Sequence, residues 1–238
     1  MSAPMSPVAA AAETFAVAAA AGDAVYVVVG VDGPAMVASP TTPERQVMLL
    51  WSDRAEAARW ADVLVTEPRI EAITFADLLA LLLPELGAAG VIIGPDWSDD
   101  PADPEFEPAA LVAMLAAAAL DRFCAEAVRQ GHVYLLRGPD GLAGAVAEDM
   151  TAAGVLPLWS DRTAAMAFAS GVWAGHTPTR VALADLTQRT LLWCVEAGWR
   201  VAPAFGLGLG ELRAGELKAR LRAAGAAAPR AGRIINAA

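Results

Sequence analysis

The tetrapeptide Trp51-Ser52-Asp53-Arg54 returns as Trp159-Ser160-Asp161-Arg162, an offset of 108 residues that is close to the length of one small domain. The echo extends well beyond the motif. At the same offset Phe15 answers to Phe123, Tyr26 to Tyr134, and Gly30-x-Asp32-Gly33 to Gly138-x-Asp140-Gly141. Further on, Trp60 answers to Phe168, Ala76-Asp77-Leu78 to Ala184-Asp185-Leu186, Gly90 to Gly198 and Pro95 to Pro203, with no gap. Chance does not hold one register through turns, a tetrapeptide and two helix starts, so the chain is read as a tandem duplication. After Pro203 the register slips by two residues, and Leu111 and Leu115 meet Leu217 and Leu221. The expected domains are 1–115 and 116–222, followed by an Ala/Gly/Pro-rich flexible tail over 223–238.

Within each unit the apolar pattern is that of an α+β domain on a mixed sheet, with helices packed on it. An Ala-rich stretch over 8–21 suits a helix. The β-branched and aromatic run from Asp23 to Val29 suits a buried strand and ends at the Gly30 to Gly33 turn. Strands are expected over 34–39 and 46–50. A helix follows over 53–65, where Asp53 and Glu56 make a capping-box pattern and Ala57, Trp60, Ala61 and Leu64 share a face. A short strand after Pro68, a leucine-rich helix over 75–83 ending at Pro84, and a strand at 91–93 complete the order. An acidic, proline-punctuated loop spans 95–108, and residues 109–129 contain no Gly or Pro, which permits one long helix or two abutting ones.

Mean hydropathy is positive, at +0.44, but alanine inflates it, and no run of about 18–20 strongly apolar residues could span a bilayer. The N-terminus lacks a basic segment, and Glu13 interrupts its apolar stretch, so no export signal is expected. Cys124 and Cys194 form no CxxC pair, which suits a reducing cytoplasm. The net charge of −10 repels phosphates and argues against nucleic-acid binding across the whole surface. That charge is unevenly spread: residues 1–107 sum to −13 and residues 108–238 to +3. Docking of the acidic unit on the basic residues near the C-terminus is one expectation from this asymmetry.

The second unit supplies a family resemblance. It runs Asp121-Arg122-Phe123, Val133-Tyr134-Leu135-Leu136, Glu148-Asp149 and Leu156-Pro157-Leu158-Trp159-Ser160. An Ala/Phe-rich helix, Trp173, Pro178, Val181 to Leu186, and Gly198 through Ala202-Pro203-Ala204-Phe205 follow. This resembles the DUF2750 family of small bacterial proteins, whose pattern includes an LPLW segment before a helix. The first unit is a more divergent copy, reading Met48-Leu49-Leu50-Trp51 without the proline. The order of elements is also loosely similar to the N-terminal domain of the SseB group of secretion-associated proteins. The resemblance implies a fold and brings no catalytic residue with it.

Candidate chemistry is sparse. Trp51, Asp53 and Arg54, with Trp159, Asp161 and Arg162, could grip a ligand or partner at a strand-to-helix junction, where helix N-termini favour anions. The competing reading makes the carboxylates helix caps and the tryptophans core. Gly206-Leu207-Gly208-Leu209-Gly210 lacks the spacing of a dinucleotide loop and the Lys-Ser/Thr ending of a P-loop. Asp96, Asp99, Asp100, Asp103, Glu105 and Glu107 cluster as calcium ligands do, but without an EF-hand spacing or its turn glycine. His132 and His176 stand in no nucleophile–base arrangement, and Lys218 is the single lysine. No metal, cofactor or catalytic group is expected. The chain reads as a non-catalytic protein–protein interaction module of a bacterial cytoplasm, with a protein partner. The alternatives are a small-molecule or peptide-binding module and an immunity- or antitoxin-like acidic partner.

Overall fold

The computed structural model describes residues 7–22, 24–98, 103–148 and 151–228. The first unit begins with α1 (Pro7–Gly22), which buries Ala12, Phe15, Ala16, Ala19 and Ala20 along one stripe at helical spacing. Four strands follow: β1 (Ala24–Gly30), β2 (Gly33–Pro34), β3 (Met36–Ala38) and β4 (Gln46–Leu50). After α2 (Arg54–Leu64) comes β5 (Arg69–Thr74). A composite helix is then built from α3 (Phe75–Asp77), a π turn over Leu78–Leu82, and α4 (Leu83–Ala88). β6 (Ile92–Pro95) and α5 (Pro108–Gln130) close the unit, and α5 is one long helix rather than two abutting ones.

The second unit repeats this order. It uses β7 (His132–Gly138), β8 (Gly141–Leu142), β9 (Gly154–Leu158), α6 (Arg162–Ala169) and β10 (Thr177–Ala182). A second composite helix consists of α7 (Leu183–Asp185), a π turn over Leu186–Thr190 and α8 (Leu191–Glu196). β11 (Trp199–Pro203), β12 (Leu212–Arg213) and α9 (Ala214–Ala227) finish it. Contacts divide the chain inside α5, after Ala119, with Gly206–Gly208 grouped with the first unit. α9 runs on to Ala227, inside the stretch expected as a tail, and residues 229–238 lie outside the described ones.

Each unit carries two three-stranded ladders, one all antiparallel and one mixed. In the first, β1 pairs antiparallel with β2 and β5, while β4 pairs antiparallel with β3 and parallel with β6. In the second, β7 pairs antiparallel with β8 and β10, and β11 pairs parallel with β9 and antiparallel with β12. A single antiparallel bridge joins the two ladders in each unit, Tyr26 to Trp51 and Tyr134 to Trp159.

The composite helices correct the expectation that the 75–83 helix stops at Pro84. Pro84 sits instead in the first turn of α4, where a missing N–H is tolerated, and the helix goes on to Ala88. The π turn explains the buried stripe around it. Leu78 and Leu83 are both fully buried though five residues apart, a spacing that an ordinary α-helix would rotate off one face. The extra residue restores the register. Proline is not its cause, because the second unit has Leu192 at that position and the same π turn, with Leu186 and Leu191 buried.

Candidate functional site

The repeated tetrapeptide sits at the seam between the two ladders of each unit. Trp51 is 1 % exposed and Trp159 is 2 % exposed. The Tyr26 N–H donates to the Trp51 carbonyl at 2.8 Å, and the Trp51 N–H returns the bond at 2.9 Å. Tyr134 and Trp159 make the same exchange at 2.7 and 3.1 Å. Each indole then ties the seam to the turn after the parallel strand. Trp51 Nε1 donates to the Trp97 carbonyl at 3.3 Å, and Trp159 Nε1 donates to the Phe205 carbonyl at 3.0 Å. These acceptors keep the same offset as the tryptophans, so the whole device is duplicated. Neither tryptophan is free to grip a ligand; both are core.

The aspartates cap helices. Asp53, with φ −119° and ψ 131°, accepts from the N–H groups of Ala55 at 2.6 Å and Glu56 at 3.3 Å. Asp161 accepts from the Ala164 N–H at 2.8 Å. The capping box is only half made. Glu56 does not reach back to Asp53, because its carboxylate is taken by Arg59 at 2.6 Å. Arg54 and Arg162 are exposed and make no ion pair among the described residues. Of the six residues singled out, these two alone present unengaged polar groups to solvent.

The serines part company. Ser52 donates its N–H and its hydroxyl to the two oxygens of Asp96, at 2.6 and 2.7 Å. Burial raises the Asp96 carboxyl above its ordinary value, opposed by these two bonds and reinforced by the nearby charges of Asp53 and Glu56. Ala204 stands at the corresponding place in the second unit and offers no acceptor. Ser160 therefore donates to Glu126 of α5 at 2.6 Å, and Glu126 is held in turn by Arg122 at 2.9 Å.

The acidic loop dissolves into separate structural bonds. Glu105 accepts from the hydroxyls of Ser39 and Thr41, and the buried Ser39 hydroxyl oxygen accepts from the Thr42 N–H at 2.7 Å. Glu107 pairs with Arg45, which holds its carboxyl below and the guanidinium above their ordinary values. Asp103 accepts from the Ser98 N–H, and Asp99 and Asp100 lie outside the described residues. No three His, Cys, Asp or Glu side chains among the described residues converge as metal ligands.

One duplicated acid escaped the sequence reading. With the two-residue slip, Glu105 corresponds to Glu211, whose side chain is 8 % exposed, accepts from the Glu148 N–H at 2.8 Å and lies 3.8 Å from Arg200. Each of these glutamates pins the loop that follows the first hairpin of its unit. The slip was visible in the leucines of α5 and α9, and carrying it back six residues from Leu111 and Leu217 would have paired the two acids.

Of the two histidines, only His132 is hydrogen-bonded; the buried Nδ1 of His176 has no hydrogen-bond partner among the described residues. His132 contacts the Gln130 carbonyl at 2.9 Å through Nδ1 and the Tyr134 hydroxyl at 3.1 Å through Nε2. His176 packs flat on Gly138, where a Cβ would fall 2.8 Å from Nε2. Burial pushes the thiols of Cys124 and Cys194 up to about 11. In the glycine loop, Gly206, Gly208 and Gly210 all adopt positive φ, and β12 intervenes before α9. No helix of the described residues is long and apolar enough to cross a membrane.

A surface feature separates the copies. On α8, Leu192 is 49 % exposed, Trp193 42 % and Val195 59 %. The first unit carries Pro84, Glu85 and Gly87 at those positions. Trp193 leans on Trp199, with ring centroids 5.2 Å apart.

The model of the family described as a protein of unknown function, DUF2750, matches residues 12–115 and again residues 120–210. No curated protein matches the chain. Among solved structures, Anabaena Tic22 (protein transport) is similar with a TM-score of 0.26 and 14 % identity, covering 80 % of this chain and 92 % of that one. A likeness that shallow carries no argument.

Proposed function

The chain belongs to the DUF2750 family, whose unit it carries twice, and on that premise we propose that it is a non-catalytic protein–protein interaction module. The exposed face of Leu192, Trp193 and Val195 on α8 carries the reading. A solvent-facing tryptophan flanked by two aliphatic side chains is the composition of an interface anchor. The first unit has the same fold with none of these three side chains, so the frame does not require them. Catalysis has no part in this reading: His132 is held by hydrogen bonds, and the raised thiols are poor nucleophiles at neutral pH. The buried, unpaired cysteines suit the reducing cytoplasm of a bacterium.

The test is affinity capture from the source organism with wild type and Trp193→Ser. A partner retained by the wild type and lost by the variant, at unchanged melting temperature, is the expected result. Equal recovery of every captured protein by both would sink the assignment to α8.

A further inference from the structure

We propose that the second unit holds a binding cleft for a carboxylate-bearing, apolar-flanked segment of a partner protein, between the composite helix α7–α8 and α9. The cleft measures about 360 Å³ and is lined by Leu183, Thr187, Gln188, Lys218, Leu221 and Arg222. Leu221 is buried, Lys218 half-buried and Arg222 exposed. Lys218 and Arg222 lie one helical turn apart on α9 and border the same cleft.

Neither cation has an ion-pair partner among the described residues. Their neighbours do. Arg220 takes both Asp121 at 3.2 Å and Glu216 at 3.8 Å, and Arg189 takes Asp185 at 3.9 Å. In a chain of net charge −10, two adjacent cations thus have no acid paired with them among the described residues. The fold does not impose them. The matching positions in the first unit are Phe75, Leu79, Ala80, Val112, Leu115 and Ala116, all apolar, so the charge belongs to the second copy alone.

The donors select the ligand chemistry. Thr187 spends its hydroxyl hydrogen on its own helix, toward the Leu183 carbonyl at 2.9 Å or the Ala184 carbonyl at 3.2 Å. That leaves the Lys218 ammonium, the Arg222 guanidinium and the Gln188 amide on the rim, above Leu183 and Leu221. Loop-type phosphate sites gather converging backbone N–H groups at a helix N-terminus, whereas the polar residues lining this cleft come from later turns of their helices. A planar carboxylate matches a guanidinium fork, and an apolar neighbour on the same segment would cover the leucines. The size suits one or two side chains, at the small end of ligand pockets.

This inference rests on the interaction reading but uses none of the α8 anchors, so the two can fail separately. The experiment takes the full 238-residue protein and a fluorescein-labelled nonapeptide of alternating glutamate and leucine, read by anisotropy and by backbone amide shifts. Expected are saturable binding, shifts centred on residues 183–190 and 214–222, and no displacement by millimolar inorganic phosphate. Lys218→Glu with Arg222→Glu should weaken binding at least about tenfold, Lys218→Gln with Arg222→Gln should weaken it less, and Val63→Ser, on the exposed side of α2, should bind as wild type. The uncharged pair keeps the test decisive if the reversed pair fails to fold. The proposal is overturned by a wild type that does not bind, by unchanged affinity in both double variants, or by shifts elsewhere. Displacement by phosphate would overturn it too, by showing a small-anion site.

Discussion

Asp96 holds Ser52 through two hydrogen bonds, from the serine N–H at 2.6 Å and its hydroxyl at 2.7 Å, and it does so from a left-handed backbone with φ 47°. Ala204 keeps the same backbone in the other copy, with φ 48°, but makes no such bonds. Left-handed φ costs an L residue with a Cβ about 1 kcal/mol, and glycine escapes that cost. Ala204→Gly should therefore stabilise the second unit by about 0.5–1 kcal/mol. Asp96→Gly gains the same relief but loses two charge-assisted bonds, so it should destabilise by about 1 kcal/mol. Differential scanning calorimetry of the two variants reads the opposite signs directly. Equal shifts of one sign would show that Asp96 is not held by Ser52 in solution.

The caps are predicted to be structural and nothing more. Asp53→Ala and Asp161→Ala each remove a side-chain acceptor at a helix start and should cost about 1 kcal/mol. Partner capture should be unchanged in both. Loss of capture at an unaltered melting temperature would restore the tetrapeptide as a binding motif.

The buried thiols give a pH prediction. Cys194 corresponds to Leu86 and serves as core, and Cys124 is equally enclosed. Both folded values lie near 11, above a thiol's ordinary value, so the native state favours the neutral thiol. The stability they contribute is complete below about pH 9 and falls as pH rises toward about 11. At pH 8 about one thiol in a thousand is ionised, so alkylation of the native protein should be slow and become rapid on unfolding. Fast labelling at pH 8 under native conditions would contradict the burial of both.

The duplication, the α+β class and the capping role of Asp53 and Asp161 were legible in the sequence because each is a local or periodic signal. The π turns were not, because helix period alone cannot show an inserted residue; only the five-residue gap from Leu78 to Leu83, read against its copy from Leu186 to Leu191, hints at it. The partners of the acidic residues were equally hidden. Glu105 meets Ser39 across 66 positions, and nothing in its loop announces that pairing. The α8 face and the Lys218–Arg222 cleft emerge only by subtracting one copy from the other. Both lie where the units differ while the frame stays the same.

The two tryptophans should differ in how much they hold. Replacement by phenylalanine removes the indole donor and leaves the carbonyl of Trp97 or Phe205 short of a partner, at about 1–3 kcal/mol before any packing loss. Trp159 has the shorter bond, 3.0 Å against 3.3 Å. It also stands among Phe168, Trp173 and Phe205, with ring centroids 5.6, 6.2 and 6.0 Å away, contacts worth more than their area alone. Trp159→Phe should accordingly cost more than Trp51→Phe. Hydrogen exchange should show where the loss falls, with faster exchange at the Tyr134 and residue-159 amides in the one variant and at the Tyr26 and residue-51 amides in the other. If both seams exchange as in the wild type while stability drops, the indole bonds do not hold the ladders together, and the tryptophans act through volume alone.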